Sequence, residues 1–160
     1  MKLTLFGTKN PPTDLLNSTL LNEDTFYPTL IQDLKRCKSE VIIESPYITT
    51  RRLSELTPVL QKLKSKRVRI VVNTRDPRTN SDEYRRDDTH EAASKLQHMG
   101  VHIIYTRGHH RKLVIIDRKV LYEGSLNVLS QNGSCEIMRR VESVALAWQV
   151  IRFTKIDMRF

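Results

Sequence analysis

A chain of 160 residues is the size of one ordinary domain and is long enough to bury a substantial core. Lys and Arg total 27 against 18 for Asp and Glu, so the formal net charge is +9 at pH 7, which favours a polyanionic partner such as nucleic acid or an anionic lipid surface. Cys37 and Cys135 lie far apart without CxxC spacing, so neither a disulfide framework nor a zinc knuckle is indicated.

The amino-terminal stretch MKLTLFGTKNPP has too few apolar residues for the core of a signal peptide, and no run approaches the length of a membrane span. The two cysteines suit a reducing cytosol. We therefore expect one soluble, cytoplasmic domain over residues 1–160.

The first half of the chain alternates strand and helix patterns. Residues 2–6 predict an edge strand, and residues 40–48 (EVIIESPYI) predict a buried strand that ends in a loop at Ser45-Pro46. A helix is expected from Asn22, and a second one is expected after the buried strand. Their apolar stripes are Phe26, Leu30, Leu34 and Cys37 in the first, and Leu53, Leu56, Leu60 and Leu63 in the second.

The next strand is predicted over residues 68–75 (VRIVVNTR). The polar segment 76–88 is too long for a simple connection and is expected to be a surface flap. Asp88 is expected to cap a helix that runs to Met99 and ends at Gly100.

Three strands are then predicted in quick succession, over residues 101–107, 112–117 and 119–124. Because Asp117-Arg118 is short enough for a hairpin turn, the last two should be antiparallel. A short strand around CEIMRRV and a final helix near 143–156 follow. The sequence therefore predicts an α/β fold in which a mixed β-sheet is flanked by helices on both faces.

Residues 108–117 (GHHRKLVIID) place histidines and cations directly before an aliphatic run. If this segment is extended, His110 and Lys112 share one face and Arg111 points to the other. An imidazole and an ammonium on one face are costly to bury unless an anion lies against them, and a phosphate meets that need. Asp117 is at an odd separation from His110, so we expect it to secure the turn by bonding neighbouring backbone amides.

The paired strand ends in GSLN, residues 124–127, where Ser125 and Asn127 share a face and offer hydrogen bonds to phosphate oxygens. Gly124 has no side chain at a point where the chain bends or a ligand approaches the backbone. Glu136, farther along the chain, is a candidate to accept a proton from a histidine ring and so to fix its tautomer.

These residues fall at the spacing HxKxxxxDxxxxxxGSxN, which resembles the signature of the phospholipase D superfamily, often called HKD proteins. A six-position match at fixed spacing is far more specific than a short glycine motif. The match covers residues 110–127 directly, and the order of strands and helices extends the resemblance to the whole chain. The matching residues are His110, Lys112, Asp117, Gly124, Ser125 and Asn127.

The resemblance implies that two such motifs meet at one active site. One histidine attacks phosphorus and forms a phosphohistidine, while the other protonates the leaving oxygen and then activates water. His110 would be the nucleophile or the general acid. Lys112 and Asn127 would hold the phosphoryl oxygens, with Ser125 as a supporting donor. Glu136 would orient the imidazole. No metal or other cofactor is expected, because Lys and Asn side chains replace a metal as the electrostatic clamp.

This chain departs from the family pattern because it carries one copy of the motif. The region before residue 70 contains no histidine, so two catalytic histidines require two chains. A twofold-symmetric homodimer would bring the two hairpins together across an isologous interface. Single-copy members that resemble this chain are mostly nucleases acting as dimers, and a net charge of +9 suits a nucleic-acid backbone.

Further substrate contacts are expected from Ser45 and Tyr47 at the end of an inner strand, although a strand-ending turn explains these two residues equally well. Arginines of the polar segment are also candidates to contact phosphates, although exposed arginines are often simply solvated. These are Arg75, Arg78, Arg85 and Arg86. His109 is expected to be structural.

Together these features predict a metal-independent phosphodiesterase, most simply a nuclease that cleaves DNA or RNA at a site shared by a homodimer. Two alternatives stay open. One is a phospholipid hydrolase, and the other is a nucleic-acid-binding or targeting module of a helicase or restriction system with weak turnover.

Overall fold

The computed structural model describes residues 13–79 and 82–159, which form one seven-stranded sheet, four α-helices and three short 3-10 helices. The strand predicted over residues 2–6 lies outside the described residues. The strands and α-helices are β1 (Thr19–Leu21), α1 (Glu23–Arg36), β2 (Glu40–Glu44), α2 (Thr50–Ser65), β3 (Arg69–Thr74), α3 (Glu83–His98), β4 (His102–Tyr105), β5 (Leu113–Ile116), β6 (Val120–Gly124), β7 (Met138–Glu142) and α4 (Val144–Thr154). The 3-10 helices are Thr13–Asn17, Pro77–Thr79 and Ile156–Arg159.

The sheet is mixed, as the sequence predicts, and its strand order is β1-β7-β6-β5-β2-β3-β4. β2, β3 and β4 are parallel, whereas β5, β6, β7 and β1 each pair antiparallel with their neighbours. The amino end of β5 therefore meets the carboxyl end of β2, with Leu113 opposite Glu44. At the same end of the sheet, Gly124 of β6 lies opposite Met138 of β7. We call this end, where β2, β3 and β6 finish and β5 and β7 begin, the site end.

Helices cover both faces of the sheet. α1, α2 and α3 pack on one face, where Leu60 of α2 shares a cluster with Val41 and Ile43 of β2. α4 packs on the other face, where Ile151 shares a cluster with Ile42. Successive residues of β2 thus alternate between the two clusters, as a central strand buried on both sides requires. The predicted α/β fold, with helices on both faces of a mixed sheet, is confirmed.

The start of α3 differs from the prediction. α3 begins at Glu83, and its N-cap is Asp82, whose carboxylate accepts a hydrogen bond from the Arg85 amide at 3.1 Å. Asp88 lies inside the helix instead, where its Oδ1 accepts bonds from the amide and hydroxyl of Thr50 at the start of α2. Several aspartates of this polar segment fit the N-cap preference, and the packing of α3 on α2 decides among them. The predicted surface flap is shorter as a result.

The β5–β6 hairpin turns at Asp117-Arg118, as predicted. Both residues have positive φ, at 52° and 53°, which is typical of the turn that matches the twist of paired strands. The Asp117 carboxylate does not bond its own neighbours. It accepts the amides of Lys38, Ser39 and Glu40 at 2.9, 2.8 and 3.0 Å, and so ties the hairpin to the connection between α1 and β2.

Replacing Asp117 with Asn is predicted to destabilise the fold in a pH-dependent manner. Burial raises the pKa of Asp117, but the hydrogen bonds from residues 38–40 outweigh it and bring the pKa to about 2. An Asp in the unfolded chain has a pKa of about 3.9, so the stabilisation is complete above about pH 5 and is lost as the pH falls through about 4 towards 2.

We expect Asp117→Asn to lower the free energy of unfolding by about 1–2 kcal/mol at pH 7, after allowance for the partial exposure of the carboxylate. Urea unfolding of both proteins across this pH range measures the effect. A difference that stays constant from neutral to acid pH would contradict the assigned role.

Candidate active site

His110 and Lys112 lie in contact at the site end of the sheet. Lys112 Nζ is 2.7 Å from His110 Nδ1 and 2.9 Å from the His110 carbonyl oxygen. Since β5 begins only at Leu113, these residues belong to the segment that leads into the strand. The imidazole and the ammonium are nevertheless side by side, with His110 exposed and Lys112 half-buried.

The end of β6 brings a serine and a glutamate to the same region. The Ser125 hydroxyl donates to the Glu136 carboxylate and accepts the Ile137 amide at 3.1 Å. A Cβ atom on Gly124 would lie 2.1 Å from the Ile137 carbonyl oxygen. The absence of a side chain at Gly124 therefore lets the end of β6 approach residues 136–137 closely. This segment, which precedes β7, carries Glu136.

An open cleft of ≈ 600 Å³ lies over these residues. Its lining contains three cations and one carboxylate, which suits an anionic ligand. The lining residues are Leu20, His110, Arg111, Lys112, Leu113, Glu123, Gly124, Ser125, Ile137 and Arg139.

The pKa of Lys112 depends on its burial and on two charged neighbours. Burial lowers the pKa of Lys112, Glu136 opposes that shift, and Arg75 adds to it. A phosphate against Nζ would act in the same direction as Glu136. The ammonium form is therefore stabilised further by an anion in the cleft.

Asn127 and Glu136 do not take the positions expected of them within one chain. Asn127 does not line the cleft, and its Oδ1 is buried without a hydrogen-bond partner in the described part of the chain. The Glu136 carboxylate accepts bonds from Ser125 and from Ser134, the latter at 2.8 Å. Among the hydrogen bonds of the described residues, none joins Glu136 to His110.

Ser45 and Tyr47 have different surroundings at the end of β2. Ser45 is fully buried, and its hydroxyl donates to the Tyr47 carbonyl at 2.9 Å and accepts a backbone amide of the loop after β6 at 3.1 Å. Tyr47 is half-buried, and its hydroxyl accepts Nη1 of Arg75 at 2.9 Å. Arg75 Nε also donates to the carbonyl of His109 at 2.8 Å. Arg75 thus connects Tyr47 to the segment that carries His110.

The other three predicted arginines lie on the surface near the start of α3, each beside an acidic side chain. The pairs are Arg78 with Asp76 at 2.6 Å, Arg85 with Asp82 at 3.4 Å and Arg86 with Glu83 at 3.8 Å. Exposed pairs of this kind contribute about 0–1 kcal/mol each. These arginines can therefore exchange their partners for another anion at little cost.

Sequence reasoning missed a buried carboxylate beneath the cleft. Glu44 is fully buried and accepts Nη2 of Arg111 at 2.8 Å and Nδ2 of Asn73 at 2.9 Å, with a further bond from Arg111 Nε. Arg111 stands between His110 and Lys112, so its inward side chain leaves those two residues at the surface. The available signal was a glutamate directly after the aliphatic run of residues 41–43.

His109 lies close to this ion pair. Its side chain is 3% exposed, and neither ring nitrogen has a hydrogen-bond partner in the described part of the chain. Burial lowers the pKa of His109 to about 4, Glu44 opposes the shift, and Arg111 and Arg75 add to it. The ring is therefore neutral at pH 7 and out of reach of a ligand, which fits the interpretation of His109 as structural.

A family model described as "Cardiolipin synthase, PLD-like domain" matches residues 30–156, which is most of the chain. The chain belongs to the phospholipase D-like family. The resemblance inferred from the HKD spacing is thereby confirmed, and membership supports an enzyme of the phosphodiesterase type. No curated protein sequence matches the chain.

Solved structures share the phospholipase D-like fold at low sequence identity. Nuc from Salmonella typhimurium, a phospholipase D family member, aligns with a TM-score of 0.68 and 14% identity over 85% of this chain and 91% of its own. NucT from Helicobacter pylori aligns with a TM-score of 0.68 and 13% identity over 86% and 92% of the two chains. Polyphosphate kinase from Porphyromonas gingivalis aligns with a TM-score of 0.67 and 12% identity over 87% of this chain and 25% of its own.

Across residues 13–79 and 82–159, no helix is both long enough and apolar enough to cross a bilayer. Within the same residues, no group of three or more His, Cys, Asp or Glu side chains is placed to hold a metal ion.

Replacing Glu44 with Gln is predicted to destabilise the fold. Removing one partner of a buried ion pair costs about 3–5 kcal/mol. Because the Arg111 side chain is 39% exposed, water compensates part of that loss, and we expect about 1–3 kcal/mol in urea unfolding.

Glu91→Gln is the matched control, because Glu91 and Lys95 form an exposed pair one helical turn apart. Its cost should be about 0.5 kcal/mol or less. Equal losses in the two variants would show that Glu44 has no special structural role.

Proposed function

We propose that this chain is a phosphodiesterase that cleaves nucleic acid without a metal ion and uses His110 as the group that attacks phosphorus. The observation that carries the proposal is the contact between His110 and Lys112 at a cationic cleft. One phosphate placed there meets a nucleophile and a cation together. Ser125 lines the same cleft as a hydroxyl donor.

The contact with Lys112 bears on which ring nitrogen of His110 reacts. Nδ1 faces Lys112 Nζ, so Nε2 is the nitrogen that approaches phosphorus. In the contact with the Lys112 ammonium, Nδ1 accepts and the ring proton lies on Nε2. When Lys112 turns to a phosphoryl oxygen, that proton exchanges through solvent to Nδ1, and Nε2 gains the lone pair that the attack requires. That lone pair forms the N–P bond as the P–O bond to the leaving group breaks.

The leaving oxygen needs a proton, and His110 is the single histidine that lines the cleft in the described part of the chain. We assign the proton to His110 of a second copy in its imidazolium form, which gives up its Nε2 proton and becomes a neutral imidazole. In the second step, water attacks phosphorus and the N–P bond breaks, while the water proton passes to the same ring. Both histidines return to their starting states.

The surface around the cleft suits such a homodimer. Leu20 and Ile137 line the cleft and are 55% and 51% exposed, although they are large and apolar. A second copy that covers them removes apolar area from water. A twofold axis at the cleft gives both copies the same contacts and brings two His110 rings to one phosphate.

The choice of nucleic acid as substrate rests on charge. The net charge is +9, and the cleft cations and the exposed arginines near the start of α3 lie along one end of the sheet. Such a distribution favours a long polyanion over a single headgroup. A phospholipid hydrolase is the second candidate, because the matched family model is described as cardiolipin synthase and the rim of the cleft is apolar.

His110→Ala is predicted to abolish cleavage of nucleic acid that the unchanged protein carries out in the presence of EDTA. The rate constant kcat should fall at least about a thousandfold, because the nucleophile is lost. Gel electrophoresis of end-labelled DNA and RNA, single- and double-stranded, measures it. His98→Ala is the matched control, since it removes an exposed histidine from α3.

Cleavage that requires added divalent metal, or that survives in His110→Ala, would contradict the phosphohistidine mechanism. Anionic phospholipid vesicles are assayed in parallel, and hydrolysis of lipid alone would favour the second candidate. Binding of nucleic acid without cleavage would favour a targeting module with weak turnover.

Chains carrying His110→Ala are predicted to inactivate the dimers that they form with unchanged chains. If each site needs His110 from two copies, only dimers of two unchanged chains are active. In randomly refolded mixtures, activity should then fall with the square of the unchanged fraction, whereas independent sites give a linear fall. Sedimentation of the same samples measures the dimer, and a fully active monomer would refute the shared site.

A further inference from the structure

A second polar cavity lies at the site end of the sheet, on the side of β3 and α3. Its volume is ≈ 250 Å³. It forms where β2 and β3 end and the chain turns towards α3, and α/β folds commonly bind ligands outside the carboxyl ends of their parallel strands. Its lining includes Pro46, Tyr47, Arg75, Asp76, Pro77 and Thr89.

Arg75 connects this cavity to the catalytic segment. Its Nε bonds the His109 carbonyl at 2.8 Å, immediately before His110, and its Nη1 bonds the Tyr47 hydroxyl at 2.9 Å. The guanidinium carbon is 5.4 Å from the centre of the Tyr47 ring. Its charge also acts on Lys112. The wall of the cavity and the phosphate-binding residues therefore belong to one connected structure.

The chemistry of the lining matches a nucleobase. Tyr47 and Arg75 are planar groups on which any base can stack. Both oxygens of the Asp76 carboxylate accept from Arg78, and once Arg78 turns to a phosphate they can accept the amino groups of bases. A volume of ≈ 250 Å³ is below the about 300–1,000 Å³ that drug-sized ligands occupy, so the cavity fits one ring system better than a whole nucleotide.

We propose that this cavity, the base pocket, holds the base of a nucleotide that neighbours the phosphate at His110 and Lys112. The inference rests on the proposed function and narrows its substrate class. A base enters such a pocket only if it is unpaired or turned out of the stack. The base pocket therefore directs the site to single-stranded or looped nucleic acid.

Charges beside the base pocket suit the backbone of the same strand. The side chains of Arg78 and Arg85 are 85% and 76% exposed; Arg78 pairs with Asp76 in the wall of the base pocket, and Arg85 pairs with Asp82 on the surface. Replacing such a partner by a phosphate costs little. The strand would run from the cleft, past the base pocket, to the start of α3.

The test compares short single-stranded oligonucleotides that are intact or carry one abasic position, placed in turn on each side of the cleaved bond. At one position, removal of the base should lower kcat/KM of the unchanged protein by roughly five- to a hundredfold. Tyr47→Ala should cleave the intact and abasic substrates about equally. Tyr47→Phe keeps the ring and should keep the preference.

Phe153→Ala is the matched control, because Phe153 is an aromatic residue that is 86% exposed. It belongs to α4, the helix that packs on the other face of the sheet. It should retain the preference for the intact strand. If Tyr47→Ala does not fold, Asp76→Asn replaces it and should change which of the four bases is preferred. The proposal is overturned if the unchanged protein ignores the abasic position, if Tyr47→Ala retains the preference for the intact strand, or if Asp76→Asn retains the base preference of the unchanged protein.

A binding measurement separates this inference from the proposed function. An oligonucleotide with 2-aminopurine at the sensitive position, or scanned through each position if no cleavage occurs, is bound to His110→Ala. Stacking in the base pocket quenches its fluorescence, and the double variant with Tyr47→Ala should restore it. If the unchanged protein cleaves no nucleic acid, the proposed function fails, but lost quenching still supports the base pocket. Equal quenching in both proteins overturns it.

Discussion

The buried carboxylate of Glu44, at the end of the inner strand β2, determines which side chains of the candidate site reach the surface. Removing an ionised Glu44 from water costs several kcal/mol, and the cost is offset only by close, hydrogen-bonded cations and amides. Arg111 and Asn73 supply those bonds. Because Arg111 must point inward to reach Glu44, the residues on either side of it, His110 and Lys112, are directed to the surface. The Glu44–Arg111 ion pair therefore sets the outward orientation of His110 and Lys112.

The same arrangement gives the two neighbouring imidazoles, His109 and His110, different environments. Burial holds His109 in its neutral form and Arg111 adds to that effect, whereas His110 is exposed at the cleft. Lys112 lies between these extremes, half-buried and under the opposing influences of Arg75 and Glu136. An anion beside Lys112 would stabilise its ammonium form further. A phosphate in the cleft would thus complete a charge arrangement that is already partly built into the fold.

Local patterns in the sequence were sufficient to predict most of this fold. Alternation and β-branched runs located the strands, the two-residue turn located the hairpin, and fixed spacing located His110 and Lys112. These local patterns could not predict the contacts between segments that are distant in the sequence. The choice of Asp82 over Asp88 as a helix cap depends on α2, and the donors to Asp117 come from residues 38–40. The Glu44–Arg111 pair, likewise, exists only because β5 lies beside β2.

The mixed sheet also explains why one motif contains residues at the cleft and residues far from it. The motif is a hairpin whose two open ends, before β5 and after β6, meet at the site end. Its turn lies at the opposite end, and β5 has four residues, which at about 3.3 Å per residue places Asp117 more than about 10 Å from the cleft. Asp117 therefore cannot contact a phosphate held by Lys112. The spacing from His110 to Asp117 and on to Gly124 follows from the length of the hairpin, whose turn is held by the amides of residues 38–40.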